Sequence, residues 1–300
     1  MRIVSLLPSA TEILYAVGAG PDVVGVTFEC DSPPQAREQA RIVSTSALPE
    51  GLTPAQIDET VRRLLAAGED IYHLDRDALS TLDADLVVTQ DLCAVCAVDV
   101  SEVHDALDYL GCTAEVLTTD PHTLEQVWRS IEDIGEATGH VESAADLADS
   151  LRDRVETVRR SVAGAPRVRC ALLEWTDPPF APGHWVPEMI ELAGGNSVLG
   201  TAGAKSTTLN WRTVGASTPE VVVVAPCGYG LEQSAALTRD LVQSRRLPVG
   251  VPVWAVDANA SFARPGPRLA DGVEALAAIL HPERAGSPDP ALARRIPTAG

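Results

Sequence analysis

Three cysteines carry the first chemical signal in this chain. Cys93 and Cys96 form a Cys-x-x-Cys pair in Thr89-Gln90-Asp91-Leu92-Cys93-Ala94-Val95-Cys96, directly after the strand-like run Asp85-Leu86-Val87-Val88-Thr89. Cys30, in Phe28-Glu29-Cys30-Asp31, follows a second such run, Val23-Val24-Gly25-Val26. Thiolates bind soft or borderline metals, and two of them at this spacing chelate. With Cys227 or His184 as a fourth donor, Cys30, Cys93 and Cys96 suit zinc or an iron–sulfur cluster. Two other readings stand beside it. The thiols can line a ligand site or simply pack, or the pair can be redox-active, although the aromatic and small-residue context of thioredoxin-like motifs is missing.

The elements that must position these thiols are legible as alternating patterns. Strand-like runs at Arg2 to Leu6, Val23 to Val26, Arg41 to Val43, Asp70 to Leu74, Asp85 to Thr89 and Thr113 to Leu117 alternate with helical segments, which predicts a parallel α/β lobe. In such sheets ligands bind beyond the carboxyl ends of the strands. From His122 to Ala163 the apolar spacing predicts unbroken helix, with Gly139 as a break in it, until Ala163-Gly164-Ala165-Pro166 stops it. A second strand series follows at Arg169 to Glu174, Val221 to Ala225 and Val253 to Asp257. The expected layout is an N-terminal α/β lobe at 1–121, a helical backbone at 122–165, a C-terminal α/β lobe at 166–284 and a disordered tail at 285–300, rich in Pro, Ala, Arg and Gly.

Charge and composition exclude several partners. A formal net charge of -19 without a basic run leaves nothing to neutralise phosphates, so nucleic acid is not expected. No apolar run approaches the roughly 20 residues of a membrane span, so the chain is not expected to be embedded in a membrane. Met1-Arg2-Ile3-Val4-Ser5-Leu6-Leu7-Pro8 enters a strand directly, which reads as an unexported, cytoplasmic chain whose six cysteines stay reduced. Cys112 and Cys170 lie in apolar contexts that suit core packing.

The strand-end segments supply the remaining candidates. After the first strand, Pro8 is followed by Ser9, with Glu12 three residues on, a capping-box pattern that aims helix amides at the ligand end. In the second lobe, Glu174-Trp175-Thr176-Asp177-Pro178-Pro179-Phe180 and Gly183-His184-Trp185-Val186-Pro187-Glu188 gather three aromatics, Trp175, Phe180 and Trp185. These suit a flat apolar ligand, or else two of them close the lobe's core. His184 and Glu188, four residues apart, are expected to share a helix face, as base and orienter or as a cap or packing feature. Asn259, Arg264 and Arg268 come after the last valine-rich strand, the two arginines flanking a stiff Pro-Gly-Pro that can aim a guanidinium at a ligand carboxylate or phosphate. Glu29, Asp31, Asp91 and Glu174 make the strand ends acidic, better suited to a cation or an amide-bearing ligand than to a nucleotide. No Gly-rich phosphate loop, nucleophile elbow or His-Glu-x-x-His motif argues for an enzyme.

Ile3-Val4-Ser5-Leu6-Leu7-Pro8-Ser9-Ala10-Thr11-Glu12, Val24-Gly25-Val26 with Glu29-Cys30-Asp31, the Gln90 to Cys96 block, Gly183 to Glu188 and Arg264-Pro265-Gly266-Pro267-Arg268 together resemble the class III solute-binding proteins of ABC transporters. Within them the resemblance is to the branch for cobalamin and related iron chelates, and it runs in order from about Arg2 to Pro282. It implies two Rossmann-like lobes with parallel sheets, one long backbone helix joining them, and a ligand cleft between the lobes that closes little. It further implies a non-catalytic binder of cobalamin, another corrinoid or a related bulky metal chelate. Pro8, Ser9, Glu29, Gln90 and Asp91 would face Trp175, Phe180, His184, Trp185, Asn259 and Arg264 across the ligand, with His184 able to serve as an axial donor. An ABC transporter permease is the implied partner, yet the exposed docking glutamates of the family correspond to Gln56 and Arg212 here. The competing expectation is a metalloprotein or metal-dependent enzyme built on Cys30, Cys93 and Cys96.

Overall fold

The computed structural model describes residues 1–90 and 114–298. The chain divides into two compact units, Met1–Pro121 with Gln126–Asp149, and Ser150–Gly300 with His122–Glu125. In the first unit, β1 (Ile3–Ser5), α1 (Pro8–Val17), β2 (Val23–Val26), α2 (Gln35–Gln39), β3 (Arg41–Ile42), β4 (Ser44–Ser46), α3 (Pro54–Ala67), β5 (Tyr72–Leu74), α4 (Arg76–Ser80), β6 (Leu86–Gln90) and β7 (Glu115–Thr119) follow one another. Strands β3-β2-β1-β6-β7 form one parallel sheet. The strand order reverses at β1, which is flanked by β2 and β6, and the carboxyl ends of those three strands frame the crevice where such sheets bind ligands. Leu86, Val87 and Val88 are buried on both faces of the sheet, as expected for a strand covered by helices on either side. The run at Asp70 to Leu74 does not join this sheet. Its β5 pairs antiparallel with β4 in a separate two-stranded ribbon.

Two helices follow where the apolar spacing alone reads as one: α5 (Leu124–Thr138) and α6 (Val141–Ser161). Gly139 adopts φ +74 between them, the left-handed stop that a glycine accepts at no steric cost.

The second unit runs through β8 (Val168–Leu173), β9 (Trp175–Thr176), β10 (Pro179–Ala181), α7 (Val186–Leu192), β11 (Gly195–Ser197), β12 (Thr207–Thr208), α8 (Trp211–Ala216), β13 (Val221–Val224), α9 (Leu231–Gln243), β14 (Val253–Val256), α10 (Ala258–Ser261), α11 (Leu269–Leu280), α12 (Pro282–Ala285) and β15 (Ala293–Ile296). Its main sheet has the order β11-β8-β13-β14-β15. The four consecutive valines of β13 are all buried at its centre, packed with Leu173, Ala255 and Ala235. The tail expected to be disordered instead supplies β15. Strand β15 pairs antiparallel along β14 from Val253↔Ile296 to Val256↔Ala293, burying Ala293 and Ile296. Two buried apolar residues at its ends and the ladder with β14 seat this edge strand, and a composition-based reading does not see them.

Cap chemistry also corrects the sequence. Helix α1 starts at Pro8 with Leu7 as its N-cap, and no side chain caps it. Proline is favoured at the first helical position because its missing N–H would be unsatisfied there anyway. Ser9 is therefore already inside the helix, and the Ser9/Glu12 box does not form. A true capping box forms on α3, where Gln56 accepts from the Thr53 amide at 2.9 Å while the Thr53 hydroxyl accepts from the Gln56 amide. Gln56 is thus engaged in starting a helix. At the end of α9, Arg246 N–H donates to Leu241 C=O and Arg245 N–H to Val242 C=O, the paired bonds of a Schellman stop. Arg245 holds the left-handed position at φ +54, where an arginine costs about 1 kcal/mol more than glycine.

Candidate functional site

The carboxyl ends of β1, β2 and β6 in the first unit are polar and closed. The Thr11 hydroxyl donates to Ser5 Oγ at 2.8 Å and approaches Cys30 Sγ at 3.0 Å, and Thr27 Oγ1 lies 3.1 Å from the same sulfur. Ser5, Thr11 and Cys30 are all fully buried, so this cluster ties the ends of β1 and β2 to α1 instead of presenting a thiol to solvent. Burying these hydroxyls is tolerable because each has a partner. Just beyond, Glu29 accepts a hydrogen bond from the Tyr72 hydroxyl at 3.1 Å. Pro8, Ser9 and Gln90 are buried at the same end. Asp91, Cys93 and Cys96 lie outside the described residues, so the thiolate site proposed on Cys30, Cys93 and Cys96 has only Cys30 within them. Among the described residues no group of three His, Cys, Asp or Glu side chains is arranged to hold a metal.

The second unit's strand ends carry rings. Trp175, directly after β8, and Tyr229, in the turn after β13, bring their rings to 5.7 Å between centroids at an interplanar angle of 38°. The backbone explains the meeting. Strands β8 and β13 are neighbours in register from Val221↔Cys170 to Val224↔Leu173, so residues just past their ends converge. The Cys227 amide then donates to the Glu174 carbonyl at 3.0 Å, and the Asn259 amide donates to the Tyr229 carbonyl at 3.1 Å. These two bonds tie the loops after β8, β13 and β14 into one surface. Phe180 is the cross-strand partner of Trp175 in the β9–β10 hairpin. Trp175, Phe180 and Tyr229 are each half-buried, leaving ring area exposed, and Asn259 is half-buried beside Tyr229. Burial raises the Tyr229 hydroxyl's pKa, which keeps it a neutral donor.

A second ring cluster is built on the loop before α7. His184 sits at φ +51, with its amide donating to the Ala204 carbonyl at 2.6 Å and its carbonyl accepting from the Gly203 amide at 2.8 Å. The loop is pressed so close to 200–206 that a Cβ on Gly183 would stand 2.3 Å from the Ser206 nitrogen, and one on Gly200 1.9 Å from the Pro182 oxygen. Only glycine allows that approach. Glu174 reinforces it, accepting from the Gly183 amide and the Ser206 hydroxyl. So fixed, the His184 ring lies 5.5 Å from that of His122 and 5.6 Å from that of Trp185.

The expected site residues therefore separate. Trp185 is 4% exposed and its indole N–H donates to the Phe262 carbonyl at 2.8 Å, which makes it the post behind the loop. Arg264 is buried as well. His184 and Glu188 do not share a helix face, because α7 begins at Val186, and the Glu188 carboxylate instead accepts from the Leu124 amide at 3.0 Å. Cys227 is exposed at the tip of the β13 turn, whereas Cys170 is buried in β8 with its thiol pushed up to about 12 by desolvation. Tyr229 and His122 were not singled out from the sequence. Tyr229 carries a signal, an aromatic inside the Gly-rich turn after a strand. His122 carries none, since its neighbour His184 is 62 residues away.

The profile of the family described as periplasmic binding protein matches residues 3–247. The vitamin B12-binding protein of Vibrio cholerae is 24% identical over 285 residues, covering 93% of this chain and 88% of that protein. Its counterpart in Yersinia pestis is 26% identical over 226 residues, covering 75% and 69%. Among solved structures, the periplasmic vitamin B12 binding protein of Vibrio cholerae superposes with a TM-score of 0.61 at 24% identity, covering 92% of this chain and 94% of that one. A periplasmic heme binding protein from Pseudomonas aeruginosa superposes with a TM-score of 0.72 at 20% identity, covering 100% and 99%.

Proposed function

The chain belongs to the periplasmic binding protein family, and we propose that it is a solute-binding protein whose ligand is a corrinoid, held without chemical change. The observation that carries this reading is the half-exposed Trp175–Tyr229 pair, backed by Phe180, at the carboxyl ends of the second unit's sheet. Rings in that state offer a large apolar area at little cost in side-chain entropy, which is what a flat macrocycle needs. The charge of the chain chooses between macrocycles. A protein with a net charge of -19 disfavours a ligand with free carboxylates and tolerates one edged with neutral amides. Asn259 and the Tyr229 hydroxyl can exchange hydrogen bonds with such amides. The relatives bearing a vitamin B12 name match over most of both chains.

As a binder in this family the chain would hand its ligand to a membrane permease, and among the described residues no helix is long and apolar enough to cross a membrane itself. The cytoplasmic location expected from the first residues draws no support from the structures it resembles, which are periplasmic proteins.

Titration of the protein's tryptophan fluorescence with cyanocobalamin, dicyanocobinamide and hemin tests the reading. Saturable quenching by the two corrinoids, weakened in W175A and Y229A, is expected. Tighter binding of hemin replaces the corrinoid by a porphyrin, and no quenching by any of the three removes the reading.

A further inference from the structure

The C-terminal segment enters the second sheet at the end where the rings lie. Because β15 runs antiparallel to β14, Ala293 stands opposite Val256 at the carboxyl end of β14, and Ile296 opposite Val253 at the other end. The mostly exposed connection at 286–291 closes in a turn before the strand begins. Asp289 accepts the Ala291 amide on its carboxylate at 2.8 Å and the Leu292 and Ala293 amides on its carbonyl at 2.9 Å. A side-chain bond of this kind fixes the direction in which the chain leaves the turn. Leu292 and Arg294 then reach two loops of the ligand end. The Leu292 carbonyl accepts from the Asp257 amide at 2.8 Å, the Asp257 carboxylate accepts from the Ala260 amide at 2.9 Å to start α10, and the Asn259 amide there holds the Tyr229 carbonyl at 3.1 Å. Arg294 forks onto both carboxylate oxygens of Glu232, at 2.5 and 2.9 Å, in the first turn of α9 and three residues after Tyr229.

We propose that residues 289–294 are a positioning brace for the ligand face, with Arg294 acting through Glu232 and Leu292 through Asp257 to set where Tyr229 and Asn259 stand. The inference rests on the Trp175–Tyr229 surface being the ligand site. The Tyr229 turn is gripped on both sides, by way of α10 on one and of α9 on the other, and both grips end on the same short stretch of tail. The Arg294 fork is no part of the β14–β15 ladder. Both its side chains are exposed to solvent, where an ion pair adds little stability, but a bidentate pair still fixes geometry. Its contribution is therefore to placement. A ring and an amide held in place before the ligand arrives spare the cost of ordering them on binding, and they stay in place only while the residues behind them do.

Fluorescence titration with cyanocobalamin, together with hydrogen exchange on the ligand-free full chain, tests the brace. The probe carries no net charge, so a charge reversal acts on it through geometry alone. R294E should weaken binding about threefold at an unchanged melting temperature, and the swapped pair E232R/R294E should restore it. Truncation after Ala285 should weaken binding at least about fivefold. R294E and the swap leave the sheet ladder intact and carry the test even where the truncated chain does not fold. In R294E the amides of Cys227 and Asn259 should exchange faster while those of β8 and β13 keep the parent's rate. Affinity unchanged in R294E, a loss that the swap does not restore, or faster exchange spread along β13 and β14 overturns the proposal, because the tail then only closes the sheet. If the parent does not bind cyanocobalamin, the corrinoid reading fails by itself and exchange decides the brace: acceleration confined to the two loops in R294E upholds it, and unchanged exchange overturns it.

Discussion

The strand ends of the N-terminal sheet are lined by buried hydroxyls and a thiol that hydrogen-bond one another, whereas those of the C-terminal sheet are lined by half-exposed rings. Both sheets reverse strand order beside an internal parallel strand, β1 in one and β8 in the other, so the backbone offers the same crevice twice. What differs is where polar groups are spent. Ser5, Thr11, Thr27 and Cys30 satisfy each other and rigidify the end of the first sheet. In the second unit the backbone is held by amide-to-carbonyl bonds between loops and by Glu174, which leaves Trp175, Phe180 and Tyr229 with surface to give to a ligand. On the proposed reading, rigid support and recognition are carried by different residues, and substitution can separate them.

The largest effect should come from W185A. It removes a buried ring and the bond to the Phe262 carbonyl behind the His184 loop, and should lower unfolding free energy by about 3–5 kcal/mol in denaturant titration. A loss below about 1 kcal/mol would mean that the loop does not lean on this residue. Next comes the double variant W175A/Y229A. Corrinoid affinity should fall roughly hundredfold, about 2–3 kcal/mol, with little change in the melting temperature. Equal losses of stability and affinity would erase the distinction between support and recognition.

T11V tests the first unit in the opposite sense. The variant keeps the volume but takes the hydroxyl from between Ser5 and Cys30, and should cost about 1–2 kcal/mol of stability while leaving the quenching by corrinoid unchanged. A matching loss of affinity would bring this buried cluster into the binding face. The smallest effect belongs to a surface pair on neither face. The Glu156 carboxyl is held down at about 2, from 4.5, by hydrogen bonds from Arg159 and Arg160. A lowered carboxylate stabilises the fold above its unfolded value, so the contribution is present above pH 4.5 and fades as pH falls toward about 2. E156Q should therefore melt slightly below the parent at neutral pH, with the gap closing over that acidic window. The gap is expected to be small because both arginines that hold Glu156 are exposed to solvent.

Local chemistry and chain order made much of this molecule legible in its sequence. Residues Val23 to Val26 are a strand because β-branched residues suit a pleated, buried surface, and β2 has those bounds. Gly139 breaks the long helical stretch because glycine takes the left-handed region freely. The alternation of strands and helices, each within a few residues of its neighbour, was enough to predict two parallel α/β units. Pairing across distance was out of reach. Nothing local places β5 in a ribbon with β4, or seats β15 on β14, because an edge strand is selected by the partner it finds. The ring surface has the same origin. Trp175 and Tyr229 are separated by 54 residues, His122 and His184 by 62, and only the parallel register of β8 with β13 and the glycine-tight loop at 183–206 bring them together. Types and turns are properties of neighbouring residues and were readable from the chain. Convergence depends on packing between distant segments, and the tertiary structure alone decided which aromatics became core and which became surface.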